Sequence, residues 1–575
     1  MCASTGPGSA IRCTIRAGAG YGCAVRRLLA AAAAGLALSF AFDPVGLTLL
    51  VPVCVAVLVL TVRGVGLRRG FLTGLVFGGC FYFTHIYWMT AVAFAAWIGL
   101  ASLETFFFGL TGAAAALLTR HRWWPVTVAA AWVALEDLRS TWPFSGMPWG
   151  RLAFSSIDTP LEKLLPWIGM VGVSFVLALS ATLLAAAVVR WQDAGASAGA
   201  SALMARLRRL VPAGLGLVGL AALTAGAVLV PWRGEVVGTA QVAVVQGGVP
   251  GPGNDVLYDY RQVTQNHVDA TVDLAEQVAA GTKQQPDLVV WPENSTAVDP
   301  FADTQTHAGI LAAVAAINAP VLVGAMVDDG EDYVLNQGIV WSPTTGAGDR
   351  YTKWHPVPYG EYIPLRQYFD FTFGDLKLIG RDMRPGRRTE PLDADGLLVA
   401  DLICFDVGYD DTLQQQVTNG AQLITVQTSN AMFIDTDQLE QQFTMTRLRA
   451  IEAGRYLAVA SINGISGVIA PDGSVVATAA KRDTAVIDAQ VGLVDDVSPG
   501  ILIGPWVARG LALLTVLALA LALVLRFRPG LRDRARARLR RARGGQAPAP
   551  DDHTPVPAPT HVPVGSTRPT PGEHA

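Results

Sequence analysis

The chain has 575 residues, enough for several domains and a sizeable core. Hydrophobic residues make up 51% of it and charged residues only 15%, which sets aside a wholly soluble chain and points to a membrane protein with a soluble part. The net charge of −3 singles out no class of partner, because the charge is placed unevenly: residues 1–235 carry the apolar runs, and most acidic residues lie between about 254 and 500.

In chain order, apolar segments fall near 28–42, 45–62, 71–94, 96–119, 124–137, 167–189 and 210–231, with one more near 505–525. A bilayer core needs about 20 apolar residues per helix, so the first and fifth are short. Residues 1–25 are expected to form a disordered tail and 26–232 a membrane domain of about seven helices, with a final membrane helix at 503–527. A cleaved leader is not expected, because a second span follows the first after a few residues. Every second loop is basic: Arg26 and Arg27, then Arg68 and Arg69, then Arg120 and Arg122, then Arg206, Arg208 and Arg209. By the positive-inside rule both termini are cytoplasmic and residues 232–504 lie outside. Nine arginines between 526 and 543 extend the last span and suit anionic headgroups better than nucleic acid. The Pro-rich remainder of 528–575 is expected to be disordered.

Residues 238–495 change character. "AQVAVVQG", "DLVVWP", "APVLVGAM", "YVLNQGIVW", "LLVADLIC", "QLITVQTS" and "YLAVASIN" read as strands bounded by turn residues. Helical patterns occupy 256–280, 304–317, 410–419 and 437–453. The alternation implies an α/β domain with buried sheets and helices on their outer faces, where chemistry gathers at strand ends. Of six cysteines only Cys404 falls here, so no disulfide forms within this domain.

Three polar groups follow strands: Glu293 in "DLVVWPENS", Lys353 with Glu361 eight residues on in "DRYTKWHPVPYGEYIP", and Cys404 in "LLVADLICFDVGYDD". A thiol nucleophile needs a base and a positive group for the oxyanion, and these are the right types. Taken singly, each has a plainer reading. Glu293 could be a helix-terminal acid, Lys353 a surface charge, Glu361 a salt-bridge partner and Cys404 a buried thiol. His355 leaves room for a Cys-His arrangement, whereas "FSGMPWGR" lacks the pattern of a serine nucleophile. No zinc spacing, phosphate loop or dinucleotide fingerprint occurs, so neither metal nor cofactor is expected.

"VVWPENS", "YTKWHPVPYGEYIP" and "ICFDVGYDD", in this order, resemble the carbon–nitrogen hydrolase (nitrilase) superfamily and its Glu-Lys-Cys triad. "GMPWGRLAFSSIDTPLEKLLPWIGMVGVSF", "VVQGGVPG" and "PVPYGEYIPL" further resemble the apolipoprotein N-acyltransferase family, over roughly residues 28–525. The resemblance implies a multi-pass α-helical membrane domain joined to an α-β-β-α sandwich on the outer face of a bacterial cytoplasmic membrane. It implies Cys404 as nucleophile, Glu293 as base and Lys353 with the following N–H as oxyanion donors. Glu361, Phe405, Asp406 and Asn430 would support them. The implied reaction is ping-pong, from a phospholipid donor to the α-amino group of a diacylglyceryl-modified apolipoprotein. An amidase tethered to the membrane and a non-catalytic lipid or lipoprotein binder are the alternatives.

Two departures from the family pattern stand out. Phe405-Asp406 replaces the usual Tyr-Glu, and "TSNAMF" at 428–433 replaces "SNDAWF". Between Lys353 and Cys404, the rings of Tyr359, Tyr362, Tyr368, Phe369, Phe371 and Phe373, with Leu376 and Leu378, either pack the loop on itself or form a lid that dips into the outer leaflet.

Overall fold

The computed structural model describes residues 8–193, 200–366 and 379–527. Seven helices come first: α1 (Gly8–Ser39), α2 (Leu50–Val62), α3 (Leu67–His85), α4 (Phe94–Leu118), α5 (Trp124–Thr141), α6 (Leu165–Gln192) and α7 (Ala200–Leu229). α1 corrects the expected tail, since the chain is helical from Gly8 rather than from near residue 26. Its Ala- and Gly-rich, basic start carries no strong apolar run, and that hid the helix. The short fifth run lengthens into α5, which closes with the polar turn Glu136–Thr141.

Among the described residues four helical stretches are long and apolar enough to cross a bilayer: Phe94–Leu118, Pro160–Gln192, Arg206–Leu229 and Pro499–Phe527. The tightest packing is α3 on α4. Gly70, Gly74 and Gly78 meet Gly109, Gly112 and Phe108 so closely that a Cβ at Gly74 would strike the Phe108 backbone. In lipid, where helices gain nothing from excluding water, this close backbone approach drives association.

The second part opens with β1 (Val236–Gln246), α8 (Tyr260–Ala279), β2 (Leu288–Val290), α9 (Thr304–Ile317), β3 (Val321–Asp329), β4 (Tyr333–Ser342) and β5 (Gly346–Thr352). β6 (Asp382–Met383), β7 (Leu392–Ala394), β8 (Leu397–Ile403), α10 (Asp410–Thr418), β9 (Leu423–Thr428) and α11 (Gln438–Ala453) follow. β10 (Leu457–Ser461), β11 (Gly467–Ile469), β12 (Val475–Thr478), β13 (Ala485–Val494) and α12 (Pro499–Phe527) complete it.

One sheet runs β13-β1-β2-β3-β4-β5 with β6 beside β4, and the other runs β12-β11-β10-β9-β8-β7. Three apolar cores define the layers. Val268, Ile310 and Val314 of α8 and α9 pack on the outer face of the first sheet. Val244, Leu322, Val399 and Ala458 fill the space between the sheets. Leu413, Met445 and Leu448 of α10 and α11 share the third core with Phe154, Leu164 and Leu177 of the helical part. The architecture is therefore an α-β-β-α sandwich whose α10–α11 layer lies directly on the membrane-type helices. The parallel runs β1-β2-β3 and β8-β9-β10 bring the carboxyl ends of β2 and β8, with their loops, into one region.

Candidate active site

Glu293 follows β2, Lys353 follows β5 and Cys404 follows β8, so each stands just past a strand that the core holds rigid. Lys353 is 1% exposed and Glu293 3%. The Lys353 ammonium donates to Glu293 Oε1 at 3.1 Å and to Glu361 Oε1 at 2.5 Å. Glu293 also accepts from Asn336 Nδ2 at 2.7 Å and, through Oε2, from the Ser429 N–H at 2.9 Å. Glu361 is fixed in turn by the Val357 N–H at 3.0 Å. Burial opposes the charge on Lys353, but the carboxylates of Glu293 and Glu361 outweigh it and hold the lysine well above its ordinary pKa. One buried cation is thus shared by two carboxylates.

Cys404 opens a 3-10 turn, Cys404–Gly408, at φ +53°, a left-handed backbone that costs a non-glycine residue about 1–3 kcal/mol. Burial pushes its thiol up to about 12; Glu293 adds to the rise, while Lys353 and the Thr428 side chain oppose it. At neutral pH the sulfur is therefore a thiol, and any attack by it on a carbonyl would require its proton to leave. The Phe405 N–H belongs to the first residues of the turn, where N–H groups have no partner within the turn.

Asp406 binds groups on both sides of the site. It is fully buried and accepts from the Tyr351 hydroxyl at 2.8 Å, from the His355 N–H at 2.9 Å, and from the Trp354 and Ile403 N–H groups at 3.3 Å. One carboxylate thereby ties the end of β5, which carries Lys353, to the turn that carries Cys404. Phe405 is buried and stacks on Trp149 at 4.9 Å between centroids. Asn430, at φ +56°, accepts from the Thr428 hydroxyl at 2.7 Å, so this bond reaches the end of β9 rather than Glu293 or Glu361. Met432 is exposed, and Phe433 meets Trp88 edge-on at 5.4 Å.

His355 bonds Asp411 at 3.0 Å and stacks on Tyr409 at 3.7 Å, which engages its ring away from the Lys353 cluster. Tyr362 donates to the Phe144 carbonyl at 3.1 Å, and the Tyr359 ring lies 6.5 Å from that of Phe144. Tyr368, Phe369, Phe371, Phe373, Leu376 and Leu378 lie outside the described residues. Among the described residues no cluster of metal-ligand type occurs.

Several site residues escape a reading of the sequence. Asn336 sits inside β4 and Ser429 acts through its backbone, so neither carries a motif. Arg449 donates to the Val407 and Gly408 carbonyls at 2.8 and 3.0 Å and to Asp410 at 2.8 Å, gripping the turn after Cys404. Arg151 reaches the same Asp410 from the α5–α6 connection through two bonds of 2.8 and 2.9 Å. The charged residues at helical spacing in α11 were the available signal.

Family models match in two blocks: the apolipoprotein N-acyltransferase N-terminal domain over residues 34–183 and carbon–nitrogen hydrolase over residues 241–495. An apolipoprotein N-acyltransferase of Mycolicibacterium smegmatis is 36% identical over 501 residues, covering 85% of this chain and 84% of that one. The chain belongs to the apolipoprotein N-acyltransferase family. Members from Methylococcus capsulatus and Pseudomonas aeruginosa are 28% and 30% identical, each alignment covering 85% of this chain and 94% of the relative. Among solved structures, an amidase from Nesterenkonia sp. aligns over 47% of this chain and 95% of its own, at 17% identity and a TM-score of 0.34. The two blocks fall on the helical part and the sandwich, which makes this a membrane protein with a nitrilase-like domain.

Proposed function

We propose that this chain N-acylates lipoproteins, moving an acyl chain from a membrane phospholipid through a Cys404 thioester to the α-amino group of an S-diacylglyceryl cysteine. The observation that carries the reading is the buried Lys353 bonded to both Glu293 and Glu361 beside a strained cysteine, in a chain of this family. Burying three charges is costly unless they have work to do or are fully paired, and here two carboxylates face one cation.

In the first half-reaction the sulfur attacks the ester carbonyl while Glu293 takes the thiol proton. The Lys353 ammonium and the Phe405 N–H hold the oxyanion. Collapse breaks the ester C–O bond, Glu293 returns the proton to the departing oxygen, and a lysophospholipid leaves. In the second, the lipoprotein amine attacks the thioester, Glu293 accepts an amine proton, and the C–S bond breaks. The sulfur then regains its proton, and the product is an amide.

The α10–α11 layer resting on apolar helices favours substrates that arrive in the bilayer. The arginine pattern supports eight crossings with both termini cytoplasmic and the sandwich outside; four of these are long apolar helices, and α1, α2, α3 and α5 would supply the other four. An amidase or a non-catalytic binder has less support, since the acyltransferases align over 84% to 94% of their own lengths, helical part included.

Purified chain in detergent, given a phospholipid with a labelled acyl chain and a synthetic S-diacylglyceryl-cysteinyl peptide, tests the reading. Label should reach the peptide as an N-acyl amide with wild type and not with Cys404→Ala. Free fatty acid with no amide would favour water as acceptor and overturn the transfer reading.

A further inference from the structure

The end of β9 holds a hydroxyl that the triad leaves unused. Ile403 and Gln427 are register partners in the parallel pair β8–β9, so Cys404 and Thr428 follow side by side at the same sheet end. The Thr428 side chain stands beside the Cys404 thiol at this sheet end and opposes the rise in its pKa. It is 1% exposed, and its one O–H donates at 2.7 Å to Asn430 Oδ1. Behind it runs a buried amide chain: Gln438 Nε2 donates to Gln442 Oε1 at 2.8 Å, and Gln442 Nε2 donates to Thr428 Oγ1 at 3.3 Å. The hydroxyl oxygen thus accepts from an aligned donor chain, which polarises its O–H outward. That proton meets Asn430 Oδ1, and the sulfur lies beside it on the neighbouring strand end.

We propose that Thr428 is a further catalytic residue: its hydroxyl turns from Asn430 Oδ1 to the Cys404 sulfur as the thiol proton passes to Glu293, and returns once the thioester forms. This rests on Cys404 being the nucleophile. In the attack the S–H bond breaks and an O–H bond forms on Glu293, while the Thr428 hydrogen bond moves without transfer of its proton. The same bond forms again when the thiolate leaves in the second half-reaction. A thiolate gains more from the bond than a thiol or thioester does, because hydrogen bonds to charged groups are the stronger ones.

The test is alkylation of Cys404 by iodoacetamide against pH in full-length protein, alongside acyl-enzyme formation from a labelled phospholipid. The charged groups facing the sulfur are Glu293, Lys353 and Glu361, all intact in the variants. Thr428→Val, which keeps the shape and loses the hydroxyl, should raise the midpoint of alkylation by about one pH unit and slow acyl-enzyme formation about tenfold. Thr428→Ser should resemble wild type. Should Val destabilise the chain, Thr428→Ala reads the same loss without the branched side chain. A Val or Ala variant with the wild-type midpoint and rate would overturn the proposal. Failure of the wild type itself to form an acyl-enzyme would instead overturn the nucleophile reading on which it rests.

Discussion

Two carboxylates around one ammonium leave negative charge beside the sulfur, and the consequences can be signed. Glu293 raises the Cys404 thiol and Lys353 lowers it, on top of the larger effect of burial. Glu293→Gln should therefore shift direct alkylation of Cys404 to lower pH while abolishing acyl-enzyme formation, because the base is gone. Lys353→Met should do the opposite to alkylation, and loss of an oxyanion donor should slow acylation by about 10²–10³-fold. A pH series of iodoacetamide labelling, with phospholipid acylation measured in parallel, separates the two effects. Equal alkylation curves in both variants would contradict this electrostatic picture.

At the scale of elements, the site depends on ties between strands, and these can be broken singly. Arg449 is fully buried with its guanidinium on Asp410, Glu452 and two carbonyls of the Cys404 turn. Arg449→Met leaves two acids without that partner and should destabilise the chain by about 3–5 kcal/mol, read as a lowered unfolding temperature. Asp401, on β8, is a different case. It bonds Thr425 at 2.7 Å, and its carboxyl is pushed up to about 7, chiefly by burial. A group raised in the folded state supports stability at low pH and withdraws that support as pH climbs from the ordinary aspartate range through about 7. Asp401→Asn should thus gain stability over wild type at pH 8, and the gain should shrink toward pH 5, as thermal unfolding at the two pH values would reveal. The absence of a Cβ at Gly338 makes room for this carboxyl and for Gln427, so Gly338→Ala should disturb both.

Elements differ in how far the sequence discloses them. α9 is read without error because its apolar spacing and its Asp303 cap agree. The seven strands read from the sequence are apolar and mostly bounded by turn residues, whereas β12 and β13 carry exposed or half-exposed, polar or glycine residues and gave no signal. Glu293 and Cys404 were legible because each follows an apolar strand inside a motif, and Lys353 because its motif stands out even after the polar β5. Asn336, Arg449 and Thr428 were not, since a polar residue inside a strand or helix acquires its meaning only from what crosses to it.

For the whole molecule, the apolar core that α10 and α11 share with the membrane-type helices implies that the sandwich and the bilayer part act as one piece. The Trp149–Phe405 stack and the Arg151–Asp410 pair cross that junction within a few residues of Cys404. Trp149→Ala empties a fully buried site at this junction and should both destabilise the chain by about 3–5 kcal/mol and reduce acylation, read as a lowered unfolding temperature together with lost transfer. The eight-crossing arrangement has its own check in cells. Single cysteines placed on the α8 surface of a chain lacking its native cysteines, except Cys404, should react with a membrane-impermeant maleimide, and cysteines in the 63–69 loop should not.

An acyl chain resting on Cys404 between two lipids would be a thioester, and a thioester can be trapped. Purified chain would be incubated with a phospholipid labelled on one acyl chain, without acceptor, and the protein-bound label counted before and after neutral hydroxylamine. Label on the wild type that hydroxylamine removes, and none on Cys404→Ala, is the expected result. Well-folded wild type that stays unlabelled across several phospholipids, or a Cys404→Ala variant labelled as strongly, would contradict it.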